Sequence, residues 1–555
     1  MNAAEAAKHP NPYLTVELRA EFRAPKGQTY RLPGFWDGGH KLKIRFSPLA
    51  EGQWDFRVSS NLDRFNGQTG SFTSTAARTS GFVTPFNVHH FQYSQPNTAH
   101  YWMGFSALNF AAMRMDAFRF LIDTRAKQRF NHMTGFVLGE EANSLQALPN
   151  PDQIVPEHFR AVDERVLYLN QKGITWDLLL AGRSGHLEAI LPQWKQRERF
   201  LRYLVARYAA MNLTWQGVQE FESYRNAGVM LKEIGLFLQQ ADPYRHPRST
   251  HAQFTSAPLA GDGWMNYRVY QVAEPSVYAV EQQLYGSPAV NAGASPRLAD
   301  EENFRRQIWN AAISGQHVGL PEVPADDPKA QFFAHLYNFF EQTRYWDLEP
   351  YFRVEGGRAL ALEEVEYIVY LDKAAPIDLI LHRTGYQVSW YNPSTGAFIH
   401  EKDFKGERYT SDGPPDKNRD WVLYVRREGK KQGMLRSYKL ESRTAVLQPP
   451  ETSKTEVPFE IQLPQETQLQ AGEVVEFNAT LKKTTRATRN MMWLWTAEAP
   501  SSGLGYRVLA TTQFGRFLIP PSIAREFPAT LALRVTGIDG NGKLYATDRV
   551  YSLKK

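Results

Sequence analysis

The sequence predicts a multidomain protein in which a (β/α)8 TIM barrel is flanked by an N-terminal immunoglobulin-like β-sandwich and two C-terminal β-sandwich domains. Between about residue 100 and residue 345, strand and helix patterns alternate over roughly 250 residues, the usual length of such a barrel. On both sides of this region, short segments alternate apolar and polar residues between turn signals. One strand of the middle region also ends in two carboxylates, Glu220 and Glu222.

Residues 1–88 are predicted to form the N-terminal sandwich. Val16, Leu18, Ala20 and Phe22 alternate with polar residues, as in a half-buried strand, and residues 41–46 repeat the pattern. Turn signals recur at residue 34 and at residues 37–39, 51–52 and 66–67. This spacing suits a small immunoglobulin-like domain.

Residues 89–350 are predicted to form the barrel. The stretch 174–180 is almost continuously apolar, as expected of a parallel strand that is covered on both faces, and Gly173 ends the preceding helix. The other predicted strands are 131–138, 213–219, 249–254, 265–271, 289–291 and 317–320. Because a doubly wound sheet fits the alternation almost as well, the choice of a barrel depends on the motifs described below.

Two further β-domains are predicted, at 351–449 and 455–555. A helix near 329–344 precedes strands at 366–371, 377–382, 387–391 and 421–426. Pro449 and Pro450, followed by residues 451–455, indicate a linker. In the last domain, Trp493 and Trp495 are candidates for the core.

The composition excludes several classes of function. Cysteine is absent, which removes thiolate nucleophiles, disulfides and Cys-based zinc sites. The net charge of +6 is small for the length and the basic residues are scattered, so we expect no nucleic-acid partner. No apolar run reaches the roughly 18 residues of a membrane helix, so no membrane insertion is expected. Phosphate-loop, zincin and nucleophile-elbow motifs are missing, and we expect neither a cofactor nor a metal.

Three stretches resemble known families. Residues 11–13, 33–38 and 51–54 resemble the N-terminal β-sandwich domain attached to many bacterial glycoside hydrolases. Residues 100–345 resemble the barrel of the apiosidase-like glycoside hydrolases, through Arg125 with Phe130-Asn131, residues 242–247, and the run from Trp215 to Tyr224. Residues 345–445 resemble a β-domain labelled collagen-binding, through residues 356–358, 390–396 and 420–423; we do not take that label as a function.

The resemblance implies a glycoside hydrolase that acts on a plant or microbial polysaccharide or oligosaccharide. The run Trp215 to Glu220 resembles the fourth-strand motif of clan A retaining glycosidases, which makes Glu220 the general acid/base. Gln219 replaces the usual Asn that binds the sugar 2-hydroxyl. Glu222 is the alternative if the strand ends two residues later, since alternate residues share a face. The competing interpretation of Glu220 is a surface salt bridge at a strand end.

The partner carboxylate is missing from its expected position. Val290-Asn291 matches the seventh-strand pattern, but Gly293 stands where the nucleophilic Glu is expected. Possible substitutes are Glu322 after the eighth strand, with Asp326 and Asp327 nearby, Glu140 and Glu141 after the second strand, and Asp300 to Glu302. For the last group we favour a helix N-terminus instead. If none of them acts, the barrel is a non-catalytic glycan-binding module; a surface adhesion protein is a third interpretation.

Other residues fall where strand ends are predicted and are candidates for binding sugar. Besides Gln219 and Glu222, they are His132, Asp177, Arg183, His186, His251, Gln253, Trp264, Tyr267, Gln271 and Asn291. His251 fits the family pattern best, and Trp264, in a Gly-rich loop, is the candidate stacking platform. For each polar residue, a structural hydrogen bond inside the barrel is the competing interpretation. We expect a secreted or periplasmic bacterial protein whose signal peptide is absent from this chain.

Overall fold

The computed structural model describes most of the chain. The residues that it does not describe are 78, 96, 272–273, 294–299, 428–451, 453–455, 500–504, 521–528 and 555. The predicted linker at Pro449-Pro450 therefore lies outside the described residues.

An eight-stranded sheet of parallel strands confirms the predicted barrel. In chain order its strands are Met103–Ser106, His132–Phe136, Thr175–Ala181, Leu213–Val218, Arg248–Ser249, Arg268–Tyr270, Ala289–Asn291 and His317–Leu320. Numbered in that order, they lie 5-4-3-2-1-8-7-6 across the sheet. Asn266, which lies just before the sixth strand, is hydrogen-bonded to Arg248 of the fifth strand. Its backbone N–H donates to the carbonyl oxygen of Arg248 (2.8 Å), and its Oδ1 accepts the N–H of Arg248 (2.9 Å).

Every residue of the third strand, Thr175–Ala181, is buried, as its largely apolar sequence predicts. The helix before it, Pro156–Gln171, begins with proline at its first position, where the absent N–H is not needed. It ends just before Gly173, whose φ of +76° favours glycine. The α-helices are Ala3–Lys8, Pro12–Thr15, Met115–Lys127, Ser144–Ala147, Pro156–Gln171, His186–Ile190, Trp194–Tyr208, Ala227–Ala241, Pro275–Leu284, Glu301–Ile313 and Ala330–Phe340. Short 3-10 helices lie at Phe110–Ala112, Glu141–Asn143, Phe221–Ser223, Ala257–Asp262 and Tyr345–Asp347.

The N-terminal region contains a four-stranded antiparallel sheet around the buried Trp54. Its strands lie in the order Thr29–Pro33, Leu18–Arg23, Gly52–Ser60, Thr69–Ser74. Phe35–Trp36 pairs with Leu42–Lys43, and Val83–Phe86, His90–Ser94 and Asn97–His100 form a small sheet. Alternating apolar residues such as Phe22, which stacks on Phe46 at 4.0 Å, supply the core.

The region after the barrel is rich in β-structure, as predicted. Its first sheet contains Glu349–Tyr351, Val354–Glu355, Arg358–Leu362, Glu366–Leu371, Ile377–Tyr391, Phe398–His400, Phe404–Ser411 and Trp421–Arg427. The prediction of two strands at 377–382 and 387–391 was wrong: they are one strand, with an irregularity between Ile380 and Thr384. A bulge bends a strand without ending it, so the polar residues there do not mark a turn.

The last region has two sheets around a common apolar core. One contains Phe459–Gln462, Val474–Leu481 and Phe514–Leu518; the other contains Gln468–Gln470, Met492–Ala499, Gly505–Ala510, Ala529–Ile538 and Leu544–Lys554. Trp493 and Trp495 are buried in this core, as predicted.

The chain divides into two compact units. The first comprises Met1–Pro85, Phe91–Val269 and Gly319–Asp327, and the second Phe86–His90, Tyr270–Val318 and Pro328–Lys555. The four domain boundaries given above stay a prediction. Within the described residues, no helix is both long and apolar enough to span a membrane.

Candidate active site

Glu220 lies two residues beyond the fourth barrel strand in an unusual backbone conformation. Its φ of +48° and ψ of +60° are left-handed, which costs a residue with a Cβ about 1–2 kcal/mol. The backbone N–H of Glu220 donates to Nδ1 of His251 (3.4 Å), and the N–H of Phe221 donates to the carbonyl oxygen of His251 (3.2 Å). The loop after the fifth strand thus holds Glu220 in this conformation.

The Glu220 carboxylate is accessible and has a cationic neighbour. The Arg183 guanidinium lies 3.8 Å from it, and the two side chains are 64% and 20% exposed, respectively. This is the strand-end salt bridge that competed with a catalytic interpretation. A solvent-exposed pair contributes only about 0–1 kcal/mol, which does not account for the cost of the left-handed backbone. Strain of this kind clusters at functional sites, where the surrounding structure maintains it.

His251, a predicted sugar-binding residue, contacts the Glu220 backbone. It is buried, and burial lowers its pKa to about 4, so the imidazole is neutral at pH 7. A neutral ring can accept the N–H of Glu220 at Nδ1. The fifth strand ends at Ser249, earlier than the predicted 249–254, and this early end leaves His251 in the loop that contacts Glu220.

Glu222 stabilises the same loop. Its two carboxylate oxygens accept the backbone N–H groups of Gln253 (2.8 Å) and Phe254 (3.0 Å). Burial raises the pKa of Glu222, and these hydrogen bonds oppose that rise. Both oxygens thus hold the loop after the fifth strand, and a substrate contact by Glu222 stays a prediction. Gln219, by contrast, has no side-chain hydrogen bond to any described residue, and its amide is available to a ligand.

Tyr224, which we did not predict as a functional residue, joins the loops after strands three and four. Its hydroxyl donates to the carbonyl oxygen of Gly182 (2.5 Å) and accepts the N–H of Leu187 (3.1 Å). His186 accepts the N–H of Gly182 at Nδ1 (2.9 Å), so this predicted sugar ligand has a structural partner. The only sequence signal was that Tyr224 ends the carboxylate-bearing run.

Glu322 lies two residues after the eighth strand and is exposed. Partial burial and the nearby Glu140 carboxylate raise the pKa of Glu322, and a hydrogen bond from the backbone of Leu108 opposes this rise. Two of the acids proposed as substitutes are therefore close enough to repel each other. Like-charge neighbours of this kind allow one carboxyl group to retain a proton at higher pH.

The buried Arg125 fixes the loop that carries Glu322. Its guanidinium donates to the carbonyl oxygens of Val323 (3.1 Å), Pro324 (2.9 Å) and Ala325 (3.3 Å). Arg125 is 1% exposed, and burial lowers its pKa to about 10. The arginine that carried part of the family resemblance thus positions a candidate carboxylate.

Three predicted sugar ligands lie instead inside the barrel. His132 Nδ1 is 2.8 Å from Asp177, whose carboxylate also accepts the Thr214 hydroxyl (2.9 Å); Tyr267 lies 3.1 Å from that hydroxyl. All four are at most 1% exposed. Burial raises the pKa of Asp177 and lowers that of His132, so the pair has no net charge. These residues lie too deep for a ligand at the carboxyl ends of the strands, which corrects the prediction for His132, Asp177 and Tyr267.

Trp264 is a core residue, not the predicted stacking platform. Its ring is 2% exposed and packs against Gly235, where a Cβ would lie 2.3 Å from the ring. Helix Ala227–Ala241 therefore approaches the tryptophan closely because position 235 lacks a side chain.

At the seventh strand, Asn291 also has internal partners. Its Nδ2 donates to the hydroxyl of Tyr278 (2.8 Å) and to Gln316 (3.1 Å), and its Oδ1 accepts the N–H of Gly293 (3.0 Å). Gly293 has a φ of +99°, a conformation that L-residues with a side chain rarely adopt. Farther along, Asp300 caps helix Glu301–Ile313 by accepting the N–H of Asn303 (2.7 Å), as we favoured.

Within the described residues, no group of three or more His, Asp or Glu side chains is arranged to hold a metal ion. Two partly accessible carboxylates follow the fourth and eighth strands: Glu220, which has Arg183 beside it, and Glu322, which has Glu140 beside it. Such an arrangement can donate a proton, accept one, and stabilise positive charge on a sugar ring.

Two family models match parts of the chain. Residues 89–320 match the model of the apiosidase-like catalytic domain, and residues 1–61 match a domain of unknown function, DUF5060. The chain is therefore similar to apiosidase-like catalytic domains over residues 89–320, within a multidomain architecture. Among curated proteins, none matches it.

Solved structures share the fold at low sequence identity. A protein from Bacteroides vulgatus described as a “putative glycoside hydrolase” is 18% identical with a TM-score of 0.63, over 75% of this chain and 96% of that one. A glycoside hydrolase family 5 structure from the same organism is 12% identical with a TM-score of 0.54, over 61% and 92%. A third, described as a glycoside hydrolase, is 13% identical with a TM-score of 0.55, over 63% and 97%.

Proposed function

We propose that this protein hydrolyses a glycosidic bond in a plant or microbial polysaccharide, with Glu220 and Glu322 as the two working carboxyl groups. The observation that carries the proposal is the left-handed backbone of Glu220, held by His251 at the end of the fourth strand. Left-handed residues that carry a side chain cluster at functional sites, and Glu220 follows the carboxyl end of a barrel strand, where the catalytic groups of such barrels lie.

The electrostatics favour a division of roles between the two acids. Burial and Glu140 raise the pKa of Glu322, so Glu322 is the better proton donor to the leaving oxygen. The Glu220 carboxylate lies 3.8 Å from the Arg183 guanidinium, on a loop after another strand, and is the second carboxyl group of the proposed pair. The family resemblance gives Glu220 an acid/base role; we propose that it takes the base half of that role and activates water.

The positions of the two strands favour inversion at the anomeric carbon. Strands four and eight are four steps apart in an eight-stranded barrel and therefore lie across it from each other. An inverting pair of carboxyl groups needs about 6.5–9.5 Å, to leave room for water, whereas a retaining pair needs about 5–5.5 Å. Gln219, with its unengaged amide, is the proposed contact for a sugar hydroxyl.

The test is sugar release from a panel of plant and bacterial polysaccharides. We would compare the wild type with Glu220→Gln, Glu322→Gln and the matched control Glu198→Gln, whose carboxylate pairs with Arg202 on helix Trp194–Tyr208. Loss of a general acid or base costs about 10²–10⁴-fold, so both site variants should lose release while the control retains it. Release that persists in both site variants would place the chemistry elsewhere.

A substrate with a good leaving group distinguishes the general acid from the general base. On an aryl glycoside whose phenolate leaves without protonation, Glu322→Gln should regain most of its rate, because only the proton donor is missing. Glu220→Gln should stay slow on that substrate, and added azide should restore turnover by replacing the activated water. The opposite pattern would assign the acid to Glu220, as in the family motif.

A second candidate, non-catalytic glycan binding, is favoured by one observation. Gly293 occupies a left-handed position stabilised by Asn291, so the seventh strand end is built for glycine and not for a nucleophile. Binding of a polysaccharide without release, unchanged in Glu220→Gln, would establish this function. Since polysaccharides lie outside the cytoplasm, either function agrees with a secreted or periplasmic bacterial protein.

A further inference from the structure

A cavity of about 750 Å³ lies in the second compact unit and contains none of the candidate active-site residues. Its wall combines Phe352 and Arg358 of the sheet at 349–427 with Asn490 and Asn541 of the last β-region and Ser314 after helix Glu301–Ile313. The volume lies within the roughly 300–1,000 Å³ of small-molecule sites.

Most charged groups in this wall already have partners. Arg486 pairs with Asp378 (3.1 Å) and lies 3.9 Å from Glu355, and Arg353 pairs with Glu363 (2.7 Å). Asp539 accepts the backbone N–H groups of Asn541 and Lys543, both at 2.9 Å. These groups form the frame of the cavity and do not need a ligand.

Arg358 differs from the other arginines of the wall. Its guanidinium donates to the sulfur of Met492 (3.5 Å), a weak acceptor, and no carboxylate of the described chain lies within ion-pair distance. Partial burial lowers the pKa of Arg358, and the more distant Asp372 and Glu274 oppose that shift. A partly desolvated guanidinium has five donors in a planar fork, a geometry that fits a carboxylate.

The rest of the wall suits a sugar ring. Phe352 offers a half-buried aromatic ring. The ring packs against Gly542, where an added Cβ would lie 2.8 Å from the Phe352 ring. The exposed amide of Asn490 supplies a hydrogen-bonding group, and the exposed Asp372 carboxylate adds a negative charge to the same wall. An aromatic face with a few polar groups is how proteins orient small polar ligands.

We propose that this cavity binds an acidic saccharide, such as a uronate, with its carboxylate on Arg358 and its ring against Phe352. The proposal that the ligand carries a carboxylate depends on the unpaired guanidinium of Arg358. The proposal that the ligand is a saccharide rests on the proposed function. The site would hold an acidic part of the glycan or its product in a unit that does not contain Glu220 or Glu322.

The experiment is calorimetric titration of the full-length Glu220→Gln variant, in which turnover does not interfere. The probes are glucuronate, glucose, which has the same ring without the carboxylate, and acetate, which has the carboxylate without the ring. Glucuronate should bind at least about 10-fold more tightly than either, because one charge-assisted pair corresponds to roughly 10–100-fold in affinity. Equal binding of glucuronate and glucose, or of glucuronate and acetate, would overturn the proposal.

Two variants locate the binding and one is a control. Arg358→Gln should weaken glucuronate binding about 10–100-fold, and Asp372→Asn, which removes an exposed negative charge, should strengthen it. Arg426→Gln changes an arginine of the same sheet that donates to Gln387, and should leave binding unchanged. If Arg358→Gln does not fold, the Asp372→Asn result decides, and unchanged affinity there would overturn the assignment. Failure of glucuronate to bind while the wild type releases sugar would overturn only this inference.

Discussion

Replacing Arg125 by methionine tests whether a buried cation positions the loop of Glu322. The methionine keeps most of the packing volume between Phe105 and Phe130, over whose rings the guanidinium lies at 5.9 and 5.6 Å. It removes the donors to three consecutive carbonyl oxygens, those of Val323, Pro324 and Ala325. We therefore expect the loop to lose its anchor while the core stays filled.

The expected loss of stability follows from two opposing contributions. Hydrogen bonds to a charged group contribute about 1.5–3 kcal/mol each, or about 4.5–9 kcal/mol for three. Burial opposes them: lowering the Arg125 pKa from 12.5 to about 10 corresponds to about 3.4 kcal/mol. The net loss should be about 3 kcal/mol, which lowers Tm by roughly 6–12 °C for a domain of this size.

The assay combines thermal unfolding with sugar release. Arg119→Met is the matched control, because Arg119 lies on the same helix, Met115–Lys127, and makes an exposed 3.6 Å pair with Glu164. That pair should contribute no more than about 1 kcal/mol. In Arg125→Met, kcat should fall more than KM changes, since the variant displaces a proton donor and removes no substrate contact.

Two results would refute this reasoning. If Arg125→Met and Arg119→Met unfold within a degree of each other, the three carbonyl hydrogen bonds contribute nothing beyond the cost of burying the cation. If Arg125→Met unfolds at a lower temperature but releases sugar at the wild-type rate, the loop does not depend on its anchor, or Glu322 is not a working acid.

Three more predictions concern the site. Glu140→Gln removes the charge that raises the Glu322 pKa, so the alkaline limit of sugar release should move to lower pH; an unchanged pH–rate profile would contradict the assignment of Glu322 as proton donor. His251 has a folded pKa of about 4 against about 6.5 when unfolded, so the unfolded chain binds the proton first and stability falls as pH decreases from 6.5 to 4. Urea midpoints at pH 7 and 4.5 should reveal about 2–3 kcal/mol of this loss, absent in His251→Asn. Gly293→Glu restores the expected carboxylate at a φ of +99°; it should cost about 1–3 kcal/mol and give no gain in sugar release, and a gain would revive the retaining mechanism.

The sequence determined the alternation of short buried strands with helices, and its motifs favoured a barrel over a doubly wound sheet. The seventh and eighth strands have the predicted bounds, Ala289–Asn291 and His317–Leu320, and the third is buried throughout, because one face packs towards the helices and the other lines the barrel interior. Carboxylates directly after such strands must lie near the mouth of the barrel. Glu220 was predicted from its resemblance to the fourth-strand motif and Glu322 from its position after the eighth strand, and Gly293 stands where the family pattern has an acid.

Only the tertiary structure decided which polar residues reach that mouth. The alternation of side chains along a strand indicates which face each side chain occupies but not how deep it lies in the barrel. In the sequence, the buried residues His132, Asp177 and Tyr267 therefore look the same as residues at the barrel mouth. The partners of Glu222 and the proximity of Glu140 to Glu322 depend on loops distant in sequence. The sequence alone therefore predicted the candidate acids, whereas the neighbours of Glu322 and the partners of Glu222 come from the folding of the chain.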